Sequence, residues 1–128
     1  MNILELRKQL VIFLETKATR VYYQNAPEDA TFPYVTFSLA SSIEDYQREI
    51  FTLNVDVWDN SEATTTLETL VGDIDGDGAI SSATGLHRKH FYSANVQFDA
   101  YRATRLTIDD EDERIKRRQL VYNLYVYL

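Results

Sequence analysis

The segment running from Ala26-Pro27 through Pro33-Tyr34 to Asp56-Val57-Trp58-Asp59 constrains the fold most. After Pro33 the positions Val35, Phe37 and Leu39 are apolar and alternate with Thr36 and Ser38. After Arg48, Phe51, Leu53, Val55 and Val57 alternate with Thr52, Asn54 and Asp56. A period of two buries one face of a sheet and wets the other. Each proline stands just ahead of an extended run, where its fixed φ and missing donor are tolerated. The alternation breaks at Trp58, and Asp59-Asn60-Ser61 then supplies the side chains that start helices. The spacing therefore predicts strands over Tyr34–Ser42 and Gln47–Trp58, joined by the polar stretch Ser41–Asp45. So short a connection demands antiparallel pairing.

The flanking segments complete an α+β pattern. Asn2 is placed to cap a first helix of about four turns, with Ile3, Leu6, Leu10, Phe13 and Leu14 on one stripe. Val21-Tyr22-Tyr23 reads as a short strand or extended lead-in, and residues 24–32 as a loop. A second helix is expected from about Glu62 to about Ile74, with Leu67, Leu70, Val71 and Ile74 at helical spacing and Gly76 and Gly78 ending it. Phe91–Tyr101 alternates again, with Ala94, Val96, Phe98 and Ala100 on one face. In Leu120–Leu128, Leu120, Tyr122, Leu124, Val126 and Leu128 line one face, while Val121, Tyr125 and Tyr127 leave the other unusually apolar. A strand of that kind is either central in its sheet or covered by a neighbouring chain. These elements predict one domain over residues 1–128, a four-stranded, mostly antiparallel sheet with two amphipathic helices on one face. An extended acidic and basic loop, residues 102–119, is expected between the last two strands.

Charge restricts the partners. The chain has 20 acids against 13 bases, a net charge of −7, and so repels the phosphates that nucleic-acid binders neutralise. It contains no cysteine, which removes disulfides and thiolate metal sites. Glu5 and Glu15 interrupt the apolar N-terminal stretch, so neither a signal peptide nor a membrane span is expected. Nine tyrosines favour protein interfaces, because each joins a large apolar body to a hydrogen-bonding tip.

Asp73-Ile74-Asp75-Gly76-Asp77-Gly78 matches the opening of a calcium loop, with oxygens at the first, third and fifth positions. The closing carboxylate is missing, since Thr84 stands where the loop needs one, and no amphipathic exit helix follows. A helix-terminating Gly/Asp turn is the reading adopted, and a calcium-responsive protein-binding module the alternative function. His87 and His90 are spaced as a metal pair, but Arg88 and Lys89 between them oppose a cation. Neither a nucleophile turn nor a phosphate-binding glycine loop is found, so no enzyme, cofactor or metal is expected.

The Ala26-Pro27 and Pro33-Tyr34-Val35 pair, the Val55-Asp56-Val57-Trp58 strand before a Leu-rich helix, and the late Arg117-Arg118-Gln119-Leu120-Val121-Tyr122 strand together resemble one family. It is that of the tail-completion and tail-terminator (head-to-tail joining) proteins of long-tailed bacteriophages and prophages. The resemblance spans nearly the whole chain and carries no catalytic signature. It implies a structural subunit, made in the host cytoplasm, that assembles into a homo-oligomeric ring, usually a hexamer, at the head–tail junction of the virion. Such a ring stops tail-tube polymerisation and meets the tail tube protein and the head connector, while DNA passes without specific binding. Candidate interface residues are Asp109, Asp110, Glu111, Asp112, Arg117 and Arg118 of the charged arm, and Tyr122, Tyr125 and Tyr127 of the last strand.

Overall fold

A computed structural model describes residues 2–80 and 82–127. Helix α1 (Ile3–Glu15) starts where expected: the Asn2 side chain accepts from the Leu4 N–H at 2.9 Å. At its other end the Thr16 hydroxyl donates to the Phe13 carbonyl at 2.6 Å. Strands β1 (Val21–Tyr23), β2 (Tyr34–Asp45) and β3 (Arg48–Asp59) precede helix α2 (Thr65–Asp75). Strands β4 (Lys89–Tyr92), β5 (Gln97–Asp109) and β6 (Lys116–Tyr127) follow it. One sheet holds all six in the order β1-β2-β3-β6-β5-β4, with β1 parallel to β2 and every other pair antiparallel.

The expected four-stranded sheet is therefore corrected to a mixed sheet of six. Val21–Tyr23 joins as a three-residue edge strand, its ends tied by Val35 N–H to the Arg20 carbonyl at 2.9 Å and Gln24 N–H to the Phe37 carbonyl at 2.8 Å. The single strand expected over Phe91–Tyr101 is a hairpin, β4–β5. At its turn the Ser93 hydroxyl accepts from the N–H groups of Asn95 and Val96, and Ser93 N–H donates to the Val96 carbonyl at 2.9 Å. Phe91 and Phe98 stack directly across it, both buried, although one is odd-numbered and the other even. That change of phase marks a reversal of the chain.

Polar composition also misled at two connections. Ser41–Asp45 continues β2 as a strand, so only Tyr46-Gln47 turn the chain, with Tyr46 at φ 54°. Residues 102–109 and 116–119, expected in a loop, are paired strand. Polar residues hold a ladder as well as apolar ones when both faces are wet. Helix α2 begins at Thr65, later than expected, and Asp59 accepts from its neighbour Asn60 N–H at 2.8 Å rather than capping the helix.

One core lies between the helices and the concave side of the sheet. Leu6, Leu10 and Leu14 of α1 and Leu67, Val71 and Ile74 of α2 bury themselves against Val35, Phe37, Leu53, Val55, Val57, Phe98, Leu120 and Leu124. The sheet curls around α1, whose Arg7 lies over Tyr23 on β1 while Phe13 meets Phe91 on β4, the opposite end of the strand order. The central position of β6, between β3 and β5, accounts for its two-sided apolar pattern. At the end of α2 the chain returns after residues 77–84 so that Leu86 and His87 N–H groups donate to the Ile74 and Asp75 carbonyls. This close approach requires glycine on both sides. A Cβ on Gly76, at φ +78°, would stand 2.1 Å from the Gly85 nitrogen.

Candidate functional site

The sheet carries polar and aromatic chemistry in three places: a buried tie at the end of α2, the tip of the β5–β6 hairpin, and the convex face away from the helices. The tie centres on Asp75, which is 4% exposed. Its carboxylate accepts from the Tyr122 hydroxyl at 2.7 Å, from Arg105 at 3.2 Å and from Arg102. Burial pushes the Tyr122 hydroxyl far above its ordinary range, and the bond to Asp75 adds to the effect. Tyr122 is fully buried, so the structure moves it from the candidate interface into the core. Its position on the apolar face of β6 was legible in the alternation; its partner Asp75, 47 residues away, was not.

The hairpin tip is the acid block. Asp110 accepts from Asp112 N–H at 2.9 Å, and Asp112 accepts from the Arg114 backbone at 3.0 Å and grips its guanidinium at 2.9 and 3.0 Å. Two of the acids thus form the turn instead of merely repelling one another. Arg114, through its side chain and then its backbone N–H, holds the Asp112 carboxyl down at about 2. Asp109 and Glu111 point to solvent. Arg117 and Arg118 are engaged within the subunit, on opposite faces of β6. Arg117 bonds Asp56 at 2.9 Å and lies 4.6 Å from the Trp58 ring, whereas Arg118 bonds Glu68 of α2 at 2.7 Å.

The convex face bears two aromatic groups. Near the hairpin-tip end, Tyr34 stacks on Trp58, and Phe32 and Tyr22 lean on Tyr34. Burial, then the nearby Asp110 charge, raises the Tyr34 hydroxyl above its ordinary value. Near the other end, Tyr125 meets Tyr101 edge-on and carries the Arg48 guanidinium at 4.9 Å. Tyr127 is 45% exposed and donates to Asp99, which also faces His90 Nδ1 at 2.6 Å. Tyr125 and Tyr127 therefore remain accessible as expected from their phase, one half-buried and one exposed.

The calcium-like motif is divided among unrelated tasks. Asp73 is exposed on α2, Asp75 is in the buried tie, and Asp77 accepts from Ala79 and Thr84 N–H groups at 3.1 Å, which lowers its carboxyl below the usual range. Among the described residues no group of three or more histidine or carboxylate side chains converges on a cation position. His87 Nδ1 accepts from Arg102 N–H at 3.0 Å, so the two histidines bond to separate strand partners. A surface groove of about 630 Å³ beside the hairpin tip is lined mainly by charged side chains such as Glu62, Asp112, Arg114 and Lys116. Sequence reasoning missed Tyr46, 89% exposed at the β2–β3 turn, and the exposed strand residues Ile43 and Leu106. A bulky aromatic inside a polar connection was the available signal for Tyr46.

No protein-family profile matches the chain, and no curated protein matches it. Among solved structures it is similar to a chain of one described as "Virion of native gene transfer agent (GTA) particle". The TM-score is 0.65 at 17% identity, covering 95% of this chain and 91% of that one. The two share a fold. At such identity, shared side-chain chemistry does not follow from a shared fold, and function has to be argued from surfaces.

Proposed function

We propose that this chain is a structural virion protein of a phage or phage-like particle. In that reading it is a tail-completion or terminator subunit that forms a ring at the head–tail junction, ends growth of the tail tube and joins the tail to the head connector. The observation that carries this reading is the fold shared over almost the full length of both chains with a component of a gene transfer agent virion. The surfaces are compatible with it. The buried Asp75 and Asp56 carboxylates are engaged in internal ties, and the accessible chemistry includes aromatic patches, a charged hairpin tip and bare sheet edges, the materials of protein contacts. A net charge of −7 suits a ring through which DNA passes without binding.

Electron microscopy of the purified protein mixed with tail tubes tests the proposal. Rings capping one tube end are expected, and uncapped tubes in the presence of excess protein would overturn it. Within that reading the tip residues Asp110, Glu111 and Asp112 contact the neighbouring particle protein. Their triple replacement by alanine should impair head–tail joining while leaving a folded subunit, and undiminished joining would remove the tip from the mechanism.

A further inference from the structure

β2 and β5 are each covered on their outer side by an edge strand over less than a third of their length. β1 pairs with β2 from Val35 to Phe37, which leaves the outer edge of β2 bare from Ser38 to Asp45. β4 pairs with β5 from Gln97 to Ala100 and His87 Nδ1 takes the Arg102 N–H, which leaves β5 bare from Ala103 to Asp109. The bare segments are of similar length and lie at diagonally opposite corners, because the end of β2 is level with the start of β5 across β3 and β6. We infer that the bare edge of β2 on one copy pairs antiparallel with the bare edge of β5 on the next copy of this chain, joining subunits through one continuous sheet. The inference deepens the ring reading given above and rests on it for the closure of the assembly.

Residue chemistry selects this pairing. Past the bulge at Ala40, Ser42 and Glu44 are on the helix side of the sheet, because Ser42 pairs with the core residue Phe51; Ser41, Ile43 and Asp45 are on the convex side. On β5, Arg105 and Thr107 share the helix side, and Thr104, Leu106 and Ile108 the convex side. A register with Glu44 opposite Arg105 places Ile43 opposite Leu106, Ser41 opposite Ile108 and Ser42 opposite Thr107, every pair on a common face. Ile43 is 69% and Leu106 42% exposed in the single subunit, so both have apolar surface to bury. Glu44 now stands directly across from Glu49, a like-charge pair that a cation relieves. Arg105 has one nitrogen on Asp75 and about half its side chain in solvent.

The same charges disfavour the symmetric alternatives. Two β2 edges have no base between Ser38 and Asp45 to set against Glu44 and Asp45, and two β5 edges offer only Asp109 to Arg105. The unlike pairing is the more complementary, which makes the contact head-to-tail, and a head-to-tail contact generates closed rings or open filaments.

Disulfide trapping tests the register in a chain that has no cysteine of its own. Ile43 and Leu106 cannot be bridged within one subunit, since their cross-strand positions on β6, Tyr125 and Gln119, lie six residues or about 20 Å apart along the strand. The full chain carrying Ile43→Cys with Leu106→Cys, oxidised over a concentration series, should give a covalent ladder that stops at the copy number of the ring. Either single variant should stop at a dimer, and Ile43→Cys with Thr107→Cys, on opposite faces, should give no ladder. Glu44→Arg should weaken assembly at least tenfold while circular dichroism stays that of the folded chain. Closed rings without the ladder overturn this contact and leave the ring reading standing. A ladder without an upper limit supports the contact and overturns ring closure. A chain that remains monomeric at every concentration overturns both.

Discussion

β3 and the distal half of β5 are made of similar material and have opposite fates. Both are long and mix Thr and charged residues with aliphatic ones. β3 is paired along its whole length by β2 on one side and β6 on the other, and its Leu53, Val55 and Val57 are fully buried. β5 beyond Arg102 has β6 on one side only and is exposed on both faces, apart from Ile108. Burial here follows the number of covering neighbours more than the residues themselves. The part of the sheet that is left uncovered is the part available for assembly.

Substitution should expose this contrast most strongly at its extremes. Leu53→Ala on β3 should destabilise the subunit by about 2–5 kcal/mol in a denaturant titration, since it leaves a cavity in a close-packed core. Leu106→Ala on β5 should stay within about 0.5 kcal/mol of the parent while weakening self-association. Equal losses at the two sites would break the comparison.

The Asp75 tie, where the exposed half of β5 is fastened to α2, should give intermediate effects. Asp75→Ala strands the buried Tyr122 hydroxyl and releases two guanidiniums, for a loss of about 2–3 kcal/mol; the figure is moderated because both arginines are substantially exposed. Tyr122→Phe should cost about 1–2 kcal/mol. The pH dependence sharpens the point. The Tyr122 hydroxyl ionises at a higher pH in the folded chain than in the unfolded one. Its contribution is therefore complete below pH 10 and is lost as pH rises beyond that. Base titration followed by tyrosinate absorbance should show a cooperative step on alkaline unfolding, smaller in Tyr122→Phe. An unchanged step would mean that Tyr122 titrates freely.

The smallest effect is expected at the hairpin tip. Asp112 is lowered from 3.8 to about 2 by Arg114, so its support of the turn is present above pH 3.8 and lost as pH falls towards 2. The Arg114 Nε–H resonance should shift across that interval, and Asp112→Asn should abolish the shift without altering global unfolding.

The comparison also shows where the sequence was readable. The alternation in β2, β3 and β6 identified core residues, including the inward phase of Tyr122, and the α1 stripe did so at Leu6, Leu10, Phe13 and Leu14 but not at Ile3, which is exposed; Leu128 lies outside the described residues. Strand count was misjudged where pairing was short, at Val21–Tyr23, or where a tight turn lay inside an apparently continuous alternation, at Ser93–Val96. Strand length was misjudged where polar residues suggested loops, at Ser41–Asp45 and in the Arg102–Asp109 segment. Of the candidate interface residues, the phase of Tyr125 and Tyr127 was legible, whereas the internal bonds of Arg117 and Arg118 were not. Their acceptors are 61 and 50 residues distant.

The amino-acid order by itself determined which side chains face inward along each element, because that parity is a local property of a strand or helix. It also set the cap on α1, the glycine turn after α2 and the acidic surface. Tertiary structure alone decided the order of strands, the union of Asp75 with Tyr122, Arg102 and Arg105, and the lengths of β2 and β5 left without an outer neighbour. A backbone hydrogen-bonding group does not encode which distant segment will satisfy it; the folded arrangement of the whole chain settles that.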